Sequence, residues 1–265
     1  MTRQRYYVVD AFASQLFTGN PAGVCPLDRW LADETMQAIA AENNLSETAF
    51  FVPEDDGFRL RWFTPTTEVP LCGHATLASA YVVTTHLRAG LREVRFETLS
   101  GALTVRCNGD LFELNLPLYM PKPIDDYPAE LERGLGNPPV EVLETAEDRN
   151  FYVLLDDEDA VGSLRPDFAL LAELHPRGTV VTAPGRSADF VSRYFVPSYG
   201  IPEDPVTGSI HAALTPFWSR RLGKSELSAR QLSRRGGELH CRVDGERVRV
   251  GGTAVEYLEG TIAVP

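Results

Sequence analysis

Basic residues are under-represented in this chain: 25 lysines and arginines stand against 37 aspartates and glutamates, a formal charge of −12 over 265 residues. Phosphate-backbone binding needs an electropositive surface to release counterions, so nucleic acid is not an expected partner. The same charge repels anions in general, and an acidic ligand has to be gripped by local donors such as backbone amides. Cysteine is scarce as well. Cys25, Cys72, Cys107 and Cys241 form no C-x-x-C pair and show no metal-ligand spacing with the five histidines, so reduced thiols and no metal are expected. No run approaches the roughly 20 apolar residues of a membrane span. The start MTRQRYYVVDAF lacks a basic segment followed by an apolar stretch of signal-peptide length. A soluble, cytoplasmic protein without a membrane partner is the expectation. Low-complexity segments are missing too, and the proline-rich NLPLYMPKPIDDYP, residues 115–128, is the best linker candidate.

What the chain does contain is a hydrophobic fraction of 43%, ample for packed cores in one large or two small domains, and an internal repeat. Arg61 opens RWFTP and Arg193 opens RYFVP, an offset of 132 residues. The glycine-started runs GHATLASAYVV from Gly73 and GSIHAALTPFW from Gly208 follow at an offset of 135 and read as helices. GALTVRCNGDLFEL from Gly101 then matches GELHCRVDGERVRV from Gly237 at an offset of 136. Asn108-Gly109 and Asp244-Gly245 are hairpin signals of the type I′ kind, in which both central positions take positive φ. The helix from Gly73 is small or apolar on almost every side, the mark of a helix buried all round. Strand-like runs on either side of it exceed what one face can use. The expected fold is α+β, with two pseudo-symmetric domains, each a curled mixed sheet around a central helix. The expected halves are residues 1–118, with a central helix near 73–88, and 119–256, with a central helix near 208–222. The last strand, about 257–265, is expected to return to the first half.

Helix amino termini carry unpaired N–H groups and partial positive charge, and both suit a carboxylate or oxyanion. Gly73 and Gly208 let a ligand approach the backbone, and a pseudo-twofold axis would aim both helix starts into one cleft. The plainer alternative is that Gly-His and Thr-Gly-Ser only cap helices, with Thr207 and Ser209 as the capping groups. Three groups stand near for acid/base work. Glu47, in ENNLSETAFF, lies beside an apolar run where partial burial raises a carboxylate toward the working range, although S-E-T is also common surface punctuation. His74 sits in the first turn of the central helix, where the dipole favours neutral imidazole, and is equally well a buried structural histidine. Asp204, in PEDPVTGS, either caps backbone amides or pairs with His74. His211 reads as packing. Cys72 precedes Gly73 and is a possible thiol base, but a two-thiol racemase needs a cysteine at the symmetry-related position, which is Thr207. Cys107 and Cys241 occupy matching strand positions and read as core.

Four segments, DAFASQLFTGNPAGV, NNLSETAFF, RWFTPTTEVPLCGHATLASA and GIPEDPVTGSIHAAL, together resemble the PhzF family, in order along the whole chain. The resemblance implies the diaminopimelate-epimerase fold. It implies Glu47 as the proton-shuttling acid/base with His74 and Asp204 assisting, and Ser46, Gly73, Gly208 and Ser209 as holders of the substrate's carboxylate and polar groups. It further implies an isomerase with neither metal nor organic cofactor, a small acidic metabolite as ligand, and a homodimer. Thr207 departs from the two-cysteine pattern of the epimerases. An amino-acid racemase or epimerase using Cys72, and a non-catalytic metabolite-binding protein, remain as the alternatives.

Overall fold

The computed structural model describes residues 2–265 and separates into two compact units, one running to Asn115 and taking in Gly251–Pro265, the other Leu116–Val250. The N-terminal unit contains β1 (Thr2–Ala11), β2 (Asn20–Pro26), β3 (Glu47–Glu54), β4 (Gly57–Phe63), β5 (Glu68–Val69), β6 (Glu93–Thr98), β7 (Gly101–Asn108) and the start of β8 (Leu111–Pro117). Helix α1 (Asp33–Asn43) joins β2 to β3, and α2 (Gly73–Val82) joins β5 to β6. The last strand, Ala254–Val264, runs antiparallel to β1, which is antiparallel to β2. β2 is parallel to β3, β3 antiparallel to β4, and β4 antiparallel to β5 and parallel to β6. β6, β7 and β8 close the order as antiparallel neighbours.

The C-terminal unit repeats this pairing strand for strand. It contains β9 (Lys122–Pro123), β10 (Glu141–Glu144), β11 (Phe151–Leu154), β12 (Thr179–Pro184), β13 (Phe190–Val196), β14 (Ile201–Asp204), β15 (Glu226–Gln231), β16 (Gly237–Asp244) and most of β17 (Arg247–Gly252). Its helices are α3 (Ala129–Leu135), α4 (Glu158–Ser163), α5 (Phe168–Ala172) and α6 (His211–Leu222). β9, β10 and β11 are antiparallel in turn, β11 is parallel to β12, and β13 pairs antiparallel with β12 and β14 but parallel with β15. β15 and β16 are antiparallel. The mixed α+β duplication is therefore present in backbone hydrogen bonding, and it extends to side chains. Arg61 on β4 makes a two-pronged ion pair with Glu68 on β5, both contacts at 2.7 Å, and Arg193 on β13 makes one with Glu203 on β14 at 2.7 and 2.9 Å. Each arginine also lies over the phenylalanine two residues on, Phe63 or Phe195.

Helix α2 is buried on nearly all sides, as its composition predicts, and packs against β1, β2, β3, β7 and the last strand. Its polar side chains bond within the helix: Thr76 Oγ1 donates to the Cys72 carbonyl at 2.6 Å and Ser79 Oγ to that of Ala75 at 2.7 Å. The helix continues as a π-turn over Val83–Leu87. In the other unit the regular helix starts at His211, after a turn over Gly208–Ile210 in which the N–H groups of His211 and Ala212 bond back to Gly208 and Ser209. Pro216 interrupts α6 and supplies no N–H to the Ala212 carbonyl. The Tyr119 N–H bonds that carbonyl instead, at 3.1 Å. The hairpin turns differ from the type I′ expectation. In both, only the glycine has positive φ, +62° at Gly109 and +63° at Gly245, while Asn108, Asp110, Asp244 and Glu246 do not. Register pairs Asn108 with Leu111, so Gly109 is the first central residue, which is the glycine position of a type II′ turn.

Candidate active site

The position of Glu47 follows from how α1 ends. Asn44 takes the left-handed conformation, φ +50°, and its N–H closes on the Ala40 carbonyl, the usual way for a chain to leave a helix. Leu45 drops onto the cluster formed by Met36, Ile39, Phe50 and Phe63, so Ser46 is half-buried and Glu47 opens β3 opposite Ala22 of β2. Cys72 is extended, φ −146°, and Gly73 starts α2 directly after it. The fold thus brings four sequence candidates, Ser46, Glu47, Gly73 and His74, into one unit, with Cys72 beside them.

Their geometry is tight. His74 Nε2 lies 3.3 Å from Glu47 Oε2, without the alignment of a hydrogen bond, and His74 Nδ1 lies 3.5 Å from Cys72 Sγ. The Glu47 side chain keeps 16% exposure while His74 keeps 6%. Burial pushes the His74 imidazole down to about 3, because a charged ring loses its hydration there. A neutral ring between a thiol and a carboxylate can pass a proton either way. No side chain caps α2, so the plain capping reading of Gly-His does not describe this helix start. The first-turn N–H groups of Gly73, His74 and Ala75 lack partners four residues back, which leaves donors and the positive end of the helix beside Glu47.

In the C-terminal unit Asp204 ends β14, Gly208 is buried and Ser209 exposed in the turn before α6. Asp204 accepts a hydrogen bond from the Thr207 hydroxyl. That hydroxyl is therefore not a helix cap, and α6 has no side-chain cap at all, contrary to the capping alternative for Thr207 and Ser209. His211 is buried, its Nδ1 2.8 Å from the Thr207 carbonyl and its ring against Phe190 at 5.8 Å, so packing describes it. Burial holds it down at about 4. Among the described residues no cysteine is disulfide-bonded, and Cys241 is core as expected, but Cys107 is only half-buried. It lines a cleft of about 670 Å³ with Tyr81, Thr84, Arg92, Arg106 and Phe112, away from the Glu47 cluster. Sequence reasoning missed Gln231, which is fully buried and bonds both Asp204 and Thr207. The only available signal was an amide at the end of an apolar alternating strand. Among the described residues no helix is long and apolar enough to cross a membrane.

Comparison with known proteins gives a consistent result. A model of the PhzC-PhzF family, described as phenazine biosynthesis-like protein, matches residues 9–260. An uncharacterized isomerase of Pseudomonas aeruginosa is 52% identical over 256 residues, 97% of each chain. The crystal structure of a PhzF-family phenazine biosynthesis protein from Enterococcus faecalis covers 99% of this chain and 100% of its own, with a TM-score of 0.95 and 44% identity. A probable proline racemase from Agrobacterium radiobacter, 12% identical over 99% of this chain and 93% of its own, has a TM-score of 0.64 and shares the fold alone.

Proposed function

Because this chain belongs to the PhzC-PhzF, phenazine biosynthesis-like family, we propose that it is an isomerase that moves a proton within a small carboxylate-bearing metabolite, with Glu47 as the acid/base. The carrying observation is the 3.3 Å approach of Glu47 Oε2 to the buried, neutral His74 at the start of α2. In this reading the first-turn N–H groups hold the substrate's carboxylate or its developing oxyanion, where fixed donors stabilise charge best. Glu47 takes a proton from carbon and returns it at another position, and His74 steadies whichever form of the carboxylate results. Ser46, next to Glu47 in the chain, and Gly73 at the start of α2 are the substrate-holding residues of this unit. Asp204 has the second acid/base role, and Gly208 and Ser209 supply donors in the C-terminal unit. The relatives named isomerases support this reaction class. The proton transfer calls on side chains alone, and a cytoplasmic homodimer completes the proposal.

The test monitors exchange of carbon-bound hydrogen in deuterated water by NMR, using a panel of amino and aromatic carboxylates as probes. Glu47→Gln should lower exchange about 100- to 10,000-fold with an unchanged circular dichroism spectrum; undiminished exchange would remove Glu47 from the role. The 3.5 Å approach of Cys72 Sγ to His74 Nδ1 favours a second reading, an amino-acid racemase or epimerase with Cys72 as base. Full turnover in Cys72→Ser eliminates it. Probe binding by calorimetry without any exchange would instead indicate a metabolite-binding protein.

A further inference from the structure

Gln231, at the end of β15, has no exposed surface. Its Oε1 accepts from the Thr207 backbone N–H at 2.9 Å, while its Nε2 donates to the Asp204 carbonyl at 2.9 Å and to Thr207 Oγ1 at 3.2 Å. The orientation of this amide is not a free choice. A backbone N–H only donates and a backbone carbonyl only accepts, so a flipped amide would set N–H against N–H and oxygen against oxygen. With the amide so placed, one of its hydrogens occupies a lone pair of the Thr207 hydroxyl. The hydroxyl's own hydrogen is donated to Asp204 Oδ2.

From this chain of donors we infer that Gln231 sets the direction of the Thr207 hydroxyl and thereby holds Asp204 as an ionised carboxylate in the resting enzyme. A hydrogen bond received from a neutral donor stabilises the charged form of a carboxyl group. Neither Tyr194 across the strand from Asp204 nor Glu203 beside it in the chain reverses the effect. Tyr194, its cross-strand partner on β13, is kept a neutral phenol by burial, and the neighbouring Glu203 is matched two-pronged by Arg193. His211 tethers Thr207 from the third side through its carbonyl. The device is confined to the C-terminal unit. Thr98 holds the position of Gln231 in β6, opposite Gly101 as Gln231 is opposite Gly237, and its short hydroxyl bonds the Gly101 carbonyl. The inference deepens the proposed function, since it rests on Asp204 as the second acid/base and says which way that group is charged at the start.

Carboxyl ¹³C NMR on aspartate-labelled whole protein tests it without any substrate. Asp204 should titrate below the ordinary aspartate range in the unaltered protein. Thr207→Val should raise the midpoint by about one pH unit, and Thr207→Ser should restore it. Gln231→Met, which frees the hydroxyl to turn, should raise it as well. A midpoint at or above the ordinary range in the unaltered protein overturns the inference even if no variant folds. So does a folded Thr207→Val with an unmoved midpoint. If Asp204 titrates low and responds to Thr207→Val while Asp204→Asn keeps full proton exchange with the amino and aromatic carboxylate probes, the ionised state stands and the catalytic reading of Asp204 is overturned.

Discussion

Acid should destabilise this protein through its two buried histidines in a way that can be counted proton by proton. His74 and His211 have folded-state values of about 3 and about 4, lowered from 6.5 by burial. Below pH 6.5 the unfolded chain takes up a proton at each site that the native protein refuses. Their contribution to stability is therefore full above about pH 6.5 and is lost as the pH falls toward the folded-state values. Integrating between pH 7.5 and 5.5 gives a loss of about 1.4 kcal/mol for each histidine, near 3 kcal/mol for both. Urea unfolding at the two pH values measures the total, which also contains the carboxylates. His74→Gln and His211→Gln isolate the terms, because each variant should lose about 1.4 kcal/mol less than the unaltered protein over the same interval. A variant with the original pH dependence would mean that its histidine takes up its proton at the same pH in the native and unfolded states, and for His74 would undercut the buried, unprotonated imidazole invoked beside Glu47.

Two further substitutions test the packing. Arg193→Met leaves Glu203 without its partner in a pair whose side chains are only 10% and 18% exposed, so urea unfolding should show a loss of about 3–5 kcal/mol. Arg59→Met, at a pair with 55% and 34% exposure, should cost about 1 kcal/mol or less; equal losses would refute the distinction. Gly23→Ala places a Cβ 2.2 Å from the Tyr6 hydroxyl and 2.8 Å from Thr48 Oγ1. Overpacking of that kind costs about 1–3 kcal/mol, and an unchanged thermal midpoint would show that the strands separate more easily than their contacts suggest.

The duplication was legible in the chain because it repeats local features: a strand ended by proline, a glycine-started helix of small residues, and a hairpin. Each depends on residues close in sequence, so three matching offsets were enough to expect two like halves. His74 and Gly73 were legible for the same reason, as members of one helix start. Glu47 was not, since a carboxylate after serine looks the same on a surface loop as beside a catalytic histidine. Only the surrounding motifs of the family marked it out. The dipeptide signals also misjudged the turns: Asn-Gly and Asp-Gly look like type I′ turns, but only the glycine takes positive φ in each, and register makes Gly109 the first central residue.

By itself, then, the sequence determined the composition of the buried helices, the glycines at their starts and the order of strands, all properties of short windows. Tertiary structure alone decided which polar groups meet. His74 reaches Glu47 because β3 and α2 pack together. Gln231 reaches Asp204 across 27 residues, and Tyr119 takes the carbonyl that Pro216 leaves unbonded. Such contacts depend on register and packing between elements distant in the chain. A hydrogen bond fails over a shift of about 1 Å, whereas a hydrophobic pattern tolerates it, and for that reason the fold could be read from the sequence and the proton path could not.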